Sequence, residues 1–511
     1  MLEFVGEAFA LAFAPEVILF ACLGVFVGIT VGAIPGLSGD MAIAVLLPFV
    51  FVLEPAAALG LLVGIYKGSM FGGSISAITF GVPGTAGAAA TVIDGYQAKL
   101  AGKPNRALHT ALYSSVIGDT TSDLVLIFLA LPLALVALKF GPVEFFALYV
   151  VSLTLVAALT MGHVARGIAA AALGVMLAMI GRDPISGAQR LTFGMPELSG
   201  GIGLIPLLVG VFAVSEIMVQ IARIWTTRRV AHQKNNAPEQ IEQAYDPAAD
   251  KMDWRTFRST FGATMLGTGM GTFIGALPGA GASLAAFMSY GLAQRLSRRP
   301  QDFGKGSLEG VAAAEAGNSA TSGATFIPLF AFGIPGSATA ALFGAALIMM
   351  SITPGPTMIQ NNMAIIYALF FILIYANLFN LVASKVLLPV YSRLAMIQPR
   401  FVLPIVLGLA ILGTYASSNS INAVWMLLAA GVLGVGLRWF GVPLGPLVLG
   451  FIVGPGLEES LRQSLMLGRN DWSHLVGSPL ALGIYFGTLL LLVVFWLITR
   501  KRQTSVEGDA T

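Results

Sequence analysis

Apolar segments long enough to cross a bilayer recur along the whole chain, and no other feature limits its fold so severely. At about 20 residues per crossing, they fall near 17–53, 60–94, 108–138, 144–161, 167–181 and 202–222. A second series lies near 260–294, 310–350, 363–384, 401–415, 422–437, 441–457 and 480–499. Several exceed one crossing or are interrupted by Pro-Gly. A soluble chain of 511 residues needs a polar coat, yet only 10% of these residues are charged and 56% are hydrophobic, against roughly 25% charged in soluble domains. In lipid the requirement inverts, because a charge at mid-bilayer costs at least ~2.5 kcal/mol. A mean hydropathy of +0.84 agrees with the membrane assignment.

The formal charge of +3 is too small, and the basic residues too scattered, to argue for nucleic acid. A lone cysteine, Cys22, rules out a disulfide framework or a cysteine-based metal site within one chain, and its apolar surroundings predict a small buried hydrophobe. The first basic residue is Lys67, so the opening stretch lacks the charged start of a secretory signal and is expected to be part of the membrane domain.

The two series resemble each other. GITVGAIPGLSG (28–39) matches GTFIGALPGAGA (271–282), FGVPGTA (80–86) matches FGIPGSA (332–338), and IPLLVGVFAVSE (205–216) is echoed by GPLVLGFIVGPG (445–456). Three matches in the same order imply an internal duplication. Between the series lies one hydrophilic stretch, 223–258, carrying Arg228, Arg229, Lys234, Glu239, Glu242 and Asp246, which reads as a linker.

Cytoplasmic loops are enriched in Lys and Arg, so matching loops report orientation. After the first Pro-Gly motif, half one has a loop around Glu54 without a basic residue, whereas half two has Arg295, Arg298, Arg299 and Lys305. After the second motif the bias reverses: Lys99, Lys103 and Arg106 face the neutral SITPGPTMIQNN (351–362). The next pair sets Lys139 beside Glu144 against Lys385, Arg393 and Arg400. Matching loops on opposite sides are the signature of inverted-topology repeats, which secondary transporters use to build two gates around a central site. The linker and the Arg500, Lys501, Arg502 tail then fall in the cytoplasm and the N-terminus outside.

Four Pro-Gly elements dominate: Pro35-Gly36, Pro83-Gly84, Pro278-Gly279 and Pro335-Gly336. Proline removes a backbone donor and glycine tolerates unwound geometry. Broken helices in a bilayer are tolerated where they are buried in protein or line a watery cavity. Exposed helix N-termini suit a carboxylate, and released carbonyls suit Na⁺. Ser38, Thr85, Ser283, Ser337 and Thr339 cluster at the breaks as neutral donors. The competing reading is that glycine merely lets helices pack closely. Polar runs flank the second elements, YKGSMFGGSIS (66–76) and EAGNSATSGAT (315–325), the latter carrying Asn318.

Among intramembrane ionisable groups, Lys67 suits a substrate carboxylate, an acidic partner or a position snorkelling to the interface. Asp119 and Asp123 share one helical face and are candidates for coupling Na⁺ or H⁺, or for bonding neighbouring helices. Asn377 and Asn380 stand in the matching stretch of half two, and Asp40 and Glu315 are weaker candidates of the same kind. Enzymatic constellations are scarce. His109, His163, His232 and His474 are dispersed without zinc spacing, and there is no P-loop or serine hydrolase elbow. No cofactor or metal is expected beyond a coupling Na⁺ or H⁺.

In GAIPGLSGDMAIAVLLPF (32–49), YKGSMFGGSISAITFGVPGT (66–85), IDGYQ (93–97), GALPGAGAS (275–283) and EAGNSATSGATFIPLFAFGIPGS (315–337), the chain resembles the large membrane subunit of the tripartite tricarboxylate transporters, the TctA family. The resemblance covers nearly the whole chain. It implies a small membrane subunit of about four helices, each about 20 residues long, and a periplasmic solute-binding protein. It also implies import of carboxylates such as citrate across the bacterial inner membrane, driven by an ion gradient.

The expected architecture is an all-α polytopic membrane protein of two inverted-topology repeats, with Pro-Gly-broken helices or re-entrant hairpins and ~11–15 crossings at about 20 residues each. Repeat 1 is expected at 1–222, the cytoplasmic linker at 223–258, repeat 2 at 259–460, and a loop, final helix and tail at 461–511. The expected site comprises backbone amides of Gly36, Gly84, Gly279 and Gly336, hydroxyls of Ser38, Thr85, Ser283 and Ser337, with Lys67 and Asn318, for the solute, and Asp119 and Asp123 for the cation. A passive anion channel and a non-transporting scaffold subunit are the alternatives.

Overall fold

In the computed structural model, the described residues are 2–159, 164–183, 186–222, 250–394 and 399–508. The linker expected at 223–258 therefore lies outside them up to Asp250, as do His163 and His232. The side chains of Arg393, Arg400, Arg500, Lys501 and Arg502 also lie outside the described residues.

The chain is helical almost throughout, and the expected all-α polytopic class holds. Among the described residues, eight helices are long and apolar enough to cross a membrane, and five shorter apolar helices accompany them. In chain order the first half gives α1 (Leu2–Ala12), α2 (Pro15–Ala33), α3 (Gly39–Val50), α4 (Pro55–Phe80), α5 (Ala89–Leu100) and α6 (Pro104–Ala137). Next come α7 (Pro142–Leu159), α8 (Val164–Ala178), a short antiparallel pairing of Gly181–Arg182 with Gln189–Arg190, and α9 (Leu204–Ala222).

The second half gives α10 (Trp254–Gly275), α11 (Gly281–Leu296), α12 (Leu308–Ser319), α13 (Phe326–Phe332) and α14 (Ala338–Met349). It continues with α15 (Met363–Leu394), α16 (Pro399–Ser418), α17 (Ile421–Trp439), α18 (Leu444–Leu467) and α19 (Pro479–Gly508). Packing groups these into two compact units, one of Met1–Ala134 with Ile202–Phe440, the other of Leu135–Gly201 with Gly441–Thr511.

Within the first unit, glycine spacing decides which helices meet. Gly24, Gly28 and Gly32 on α2 recur every four residues and face Gly64, Gly68 and Gly72 on α4. A Cβ on Gly24 would lie 2.2 Å from the Leu61 carbonyl oxygen, and one on Gly28 would lie 2.3 Å from that of Ile65. The second half repeats the device: a Cβ on Gly267 or Gly271 of α10 would lie 2.4 Å from the Ala313 or Gly317 oxygen of α12. Without a hydrophobic drive between helices in lipid, such close approach supplies the van der Waals contact that holds them. The small-residue packing raised as a competing reading of the sequence is thus present, but on the helices flanking the breaks.

The Pro-Gly elements end helices in matched ways. α4 terminates at Gly81 and α13 at Gly333, both with positive φ (69° and 75°) that favours glycine. After the second of these breaks α14 restarts at a serine cap, as α3 does after Pro35-Gly36: Ser337 Oγ accepts from the Ala340 amide at 3.1 Å, and Ser38 Oγ from the Met41 amide at 3.2 Å.

Loops of unlike charge gather at different places in this unit. Lys103 of half one shares a cavity of about 540 Å³ with Arg298, Arg299 and Lys305 of half two. Glu7, Glu16 and Glu54 share another, of about 610 Å³, with Gln360, Asn361 and Asn362.

In the second unit, α7, α8, α18 and α19 pack together, again through glycine: a Cβ on Gly174 would lie 1.9 Å from the Leu447 oxygen. An ionic cluster anchors the strand pair. Arg190 reaches Glu458 at 2.6 Å and Asp183 at 3.3 Å, and Arg462 reaches Asp183 at 2.9 Å.

Outward faces are apolar, with Phe128 73% and Trp439 88% exposed, as a bilayer requires. Cys22 departs from the expected burial and is exposed. It stands on α2, where the rest of the chain leaves its side chain uncovered.

Candidate functional site

The breaks converge. A cavity of about 240 Å³ in the first unit is lined by Ser38, Gly39 and Asp40 at the start of α3, by Gly281, Ala282 and Ser283 at the start of α11, and by Gly336 to Thr339 at the start of α14. Thr85, Ala86 and Gly87 enter from the break between α4 and α5. Tyr66 and Ser69 on α4, Asn318 near the end of α12, and Thr321 and Thr325 between α12 and α13 complete the wall. Three helices of twelve or more residues therefore present their first turns to one space. First-turn amides lack intrahelical partners and carry the positive end of the helix dipole. No lysine, arginine or histidine lines the cavity.

The donors are hydroxyls and amides, and several have no partner. Thr85 Oγ1, Thr325 Oγ1 and Asn318 Oδ1 are buried atoms that make no hydrogen bond among the described residues. Buried polar atoms are seldom left so without a ligand or water to satisfy them. Ser38 and Ser337 use their oxygens as acceptors in capping, which leaves each O–H free to donate. One carboxylate enters the cavity: Asp40, which accepts from Thr339 Oγ1 at 2.5 Å. The pair joins the first turn of α3 to that of α14, so breaks from the two halves of the chain meet here.

Of the expected solute-binding residues, Ser38, Thr85, Ser283, Asn318, Gly336 and Ser337 share this wall, while Gly36, Gly84, Gly279 and Lys67 are not part of it. The Gly84 amide donates to the Gly73 carbonyl at 3.2 Å and the Gly279 amide to that of Gly336 at 2.8 Å, so neither is available to a solute. Their glycines serve approach instead: a Cβ on Gly84 would lie 1.9 Å from the Gly32 oxygen. Gly36, at φ 90°, is exposed.

Lys67 turns away from the cavity. Its ammonium lies 2.5 Å from Asp119 Oδ1, 2.7 and 2.8 Å from the two Asp123 oxygens and 3.0 Å from Ser322 Oγ, and all three charged groups are buried. Asn377 donates to Asp123 at 2.7 Å, and Asn380 to the Lys67 carbonyl at 3.3 Å. A cation thus already stands between the two carboxylates. Lys67 follows the acidic-partner reading of the sequence, and it joins α4, α6 and α15.

Sequence reasoning did not gather Asp40, Tyr66, Ser69, Thr321 and Thr325 into the site. The polar runs 66–76 and 315–325 were its only local signal for most of them. Among the described residues there is no group of three or more His, Cys, Asp or Glu able to hold a metal ion.

This fold and cavity define a multi-pass membrane protein with a polar site enclosed by broken helices. Residues 18–449 match the profile of the Tripartite tricarboxylate transporter TctA family. A relative from Agrobacterium vitis, described as an uncharacterized 52.8 kDa protein in TAR-I ttuC' 3'region, is 35% identical over 504 residues, 98% of each chain. A second from the same organism, an uncharacterized protein in TAR-II ttuC' 3'region, is 34% identical over 232 residues, 45% of this chain and 96% of the relative. No solved structure matches. The chain belongs to the TctA family.

Proposed function

We propose that this chain is the large transmembrane subunit of a binding-protein-dependent secondary transporter that imports carboxylates, tricarboxylates such as citrate among them, by symport with Na⁺ or H⁺. The observation that carries this reading is the convergence of three helix N-termini and neutral donors on one cavity without a basic side chain. An anion held by dipole ends and hydroxyls is bound without a fixed cation, which favours release as well as capture. The partners are a small membrane subunit of about four helices of about 20 residues each and a periplasmic solute-binding protein, in the bacterial inner membrane.

Inverted repeats fit the same reading. The basic loops of the two halves gather at one cavity, and the acidic and neutral ones at another, although each pair comes from non-equivalent positions in the repeats. That arrangement supports opposite orientations of the halves, with Lys103 and Arg298 on the cytoplasmic side.

Uptake of labelled citrate and related carboxylates into proteoliposomes tests this. The vesicles hold the chain and its small partner, with the binding protein supplied outside and a Na⁺ or H⁺ gradient imposed or collapsed. Saturable uptake that requires both gradient and binding protein is expected. Flux independent of the gradient would establish a passive anion channel instead. Uptake that survives disruption of the cavity would assign the chain a scaffold role.

A further inference from the structure

Glu315 is fully buried at the heart of the first unit, and no cation faces it. Ser74 Oγ on α4 and Thr91 Oγ1 on α5 both donate to its Oε2, the latter at 3.0 Å, while Oε1 has no partner among the described residues. Three residues on, along the same face of α12, the Asn318 side-chain amide is also buried, with neither Oδ1 nor Nδ2 hydrogen-bonded among the described residues. Asn318 lines the solute cavity, where Gly87 makes room for it: a Cβ there would lie 1.9 Å from Oδ1.

The surrounding charges are accounted for. On α4 and α6, Lys67 pairs with both Asp119 and Asp123, one ammonium against two carboxylates. On α5, Asp94 accepts from the Gly306 and Ser307 amides and from Tyr290 of α11 at 2.8–2.9 Å, and Lys99 lies over Tyr96. Arg255 and Arg258 stand at the start of α10, Arg106 and His109 at the start of α6, and Arg295 at the end of α11. Glu309, on α12 itself, accepts from Ser297. Tyr66 of α4, Tyr113 of α6 and, across the cavity on α3, Asp40 are the remaining titratable groups. None forms an ion pair with Glu315 among the described residues.

A buried, uncompensated carboxylate is neutralised by a proton or an ion. The orphaned atoms fit either state of the acid: Asn318 Nδ2–H₂ can donate to an ionised Oε1, and Asn318 Oδ1 can accept from a protonated one.

We propose that Glu315 is the proton-coupling group, reading its state into the cavity through the Asn318 amide. This deepens the symport reading and rests on it. When Glu315 is protonated, Oε1–H donates to Asn318 Oδ1 and turns the amide N–H₂ toward the cavity, where it donates to an anionic solute. When Glu315 is ionised, the amide reverses to donate to it and presents its oxygen to the cavity, opposing an anion. The proton and the solute therefore bind together, and loss of the proton to the other side releases the solute. Unlike Asp119 and Asp123, Glu315 has no cation beside it, and unlike Asp40 it stands behind the cavity wall with Asn318 between.

The first test needs no solute. Dicyclohexylcarbodiimide, which attacks protonated carboxyls in apolar surroundings, is applied to the full chain in proteoliposomes, and adducts are mapped by mass spectrometry. Labelling of Glu315 that falls as pH rises and is indifferent to Na⁺ is expected. Absence of labelling at every pH, or suppression by Na⁺ at fixed pH, would overturn the proposal. The second uses Glu315→Gln, a neutral mimic of the protonated acid, with labelled citrate. Counterflow exchange is expected to persist while gradient-driven accumulation is lost, and the pH dependence of binding seen in the unmodified chain is expected to vanish. Accumulation retained by Glu315→Gln would overturn the proposal while leaving the symport reading intact. Absence of citrate transport by the unmodified chain would count against the citrate assignment alone, since the labelling still decides Glu315.

Discussion

Replacing Lys67 by methionine keeps most of the side-chain volume but leaves two buried carboxylates, 1% and 0% exposed, with no cation between them. The ammonium makes charge-assisted contacts to three carboxylate oxygens and to Ser322. Breaking a buried ion pair from one side costs about 3–5 kcal/mol, so the folded population should fall about a hundred- to several-thousand-fold relative to the unfolded. Asp123→Asn leaves one ammonium facing one carboxylate and should cost less, about 1.5–3 kcal/mol. Removing all three charges together, Lys67→Met with Asp119→Asn and Asp123→Asn, should recover most of the loss, because neutral replacement of a buried ionic group is often tolerated. Reversible unfolding in mixed micelles, titrated with SDS and followed by tryptophan fluorescence, measures all of these variants in one double-mutant framework. The reasoning fails if Lys67→Met costs no more than Asp123→Asn, or if the triple variant is no more stable than Lys67→Met.

The close approaches of α2 and α4 predict that Gly28→Ala costs about 1–3 kcal/mol or more through overpacking. Gly269→Ala, where a Cβ meets nothing within 4 Å, should instead gain about 0.5–1 kcal/mol of helix propensity, in the same titration. Ser337→Ala removes the cap of α14 and should cost about 1 kcal/mol, and it should also weaken solute uptake, whereas Ser473→Ala in the second unit should leave uptake unchanged. Asp253 caps α10, and the Thr256 donors, its side chain foremost, hold its carboxyl below the ordinary value. A depressed folded-state value means the cap is intact at neutral pH and is lost as pH falls through it. The protection of the amides at 255–257, corrected for intrinsic exchange, should therefore fall only below the ordinary carboxylate value, and Asp253→Asn should abolish that pH dependence.

How much of this was legible follows from how local each signal is. The spanning helices and their breaks were legible because apolar length and Pro-Gly punctuation are properties of neighbouring residues. The cavity's hydroxyls were legible for the same reason, since Ser38, Thr85, Ser283 and Ser337 each stand beside a break. The partner of Lys67 was not, because Asp119 and Asp123 lie far along the chain and nothing in either segment encodes their meeting. The same holds for Glu315, whose donors Ser74 and Thr91 sit in the other half. Backbone commitments were also hidden: Gly84 and Gly279 read as free donors until their bonds to Gly73 and Gly336 were visible. The grouping of 135–201 with 441–511 rests on contacts such as Gly174 against Leu447, which leave no local trace beyond a glycine.

The central claim is that the solute binds where the helix N-termini meet, and cysteine protection tests it most directly. In a Cys22→Ser background, Ser283→Cys and Ser337→Cys are labelled with a small maleimide, with and without a carboxylate that the unmodified system transports. The account predicts that the solute slows labelling at both positions and leaves an exposed control, Ser473→Cys, unaffected. Labelling unchanged at both cavity positions, in variants that still transport the solute, would contradict it.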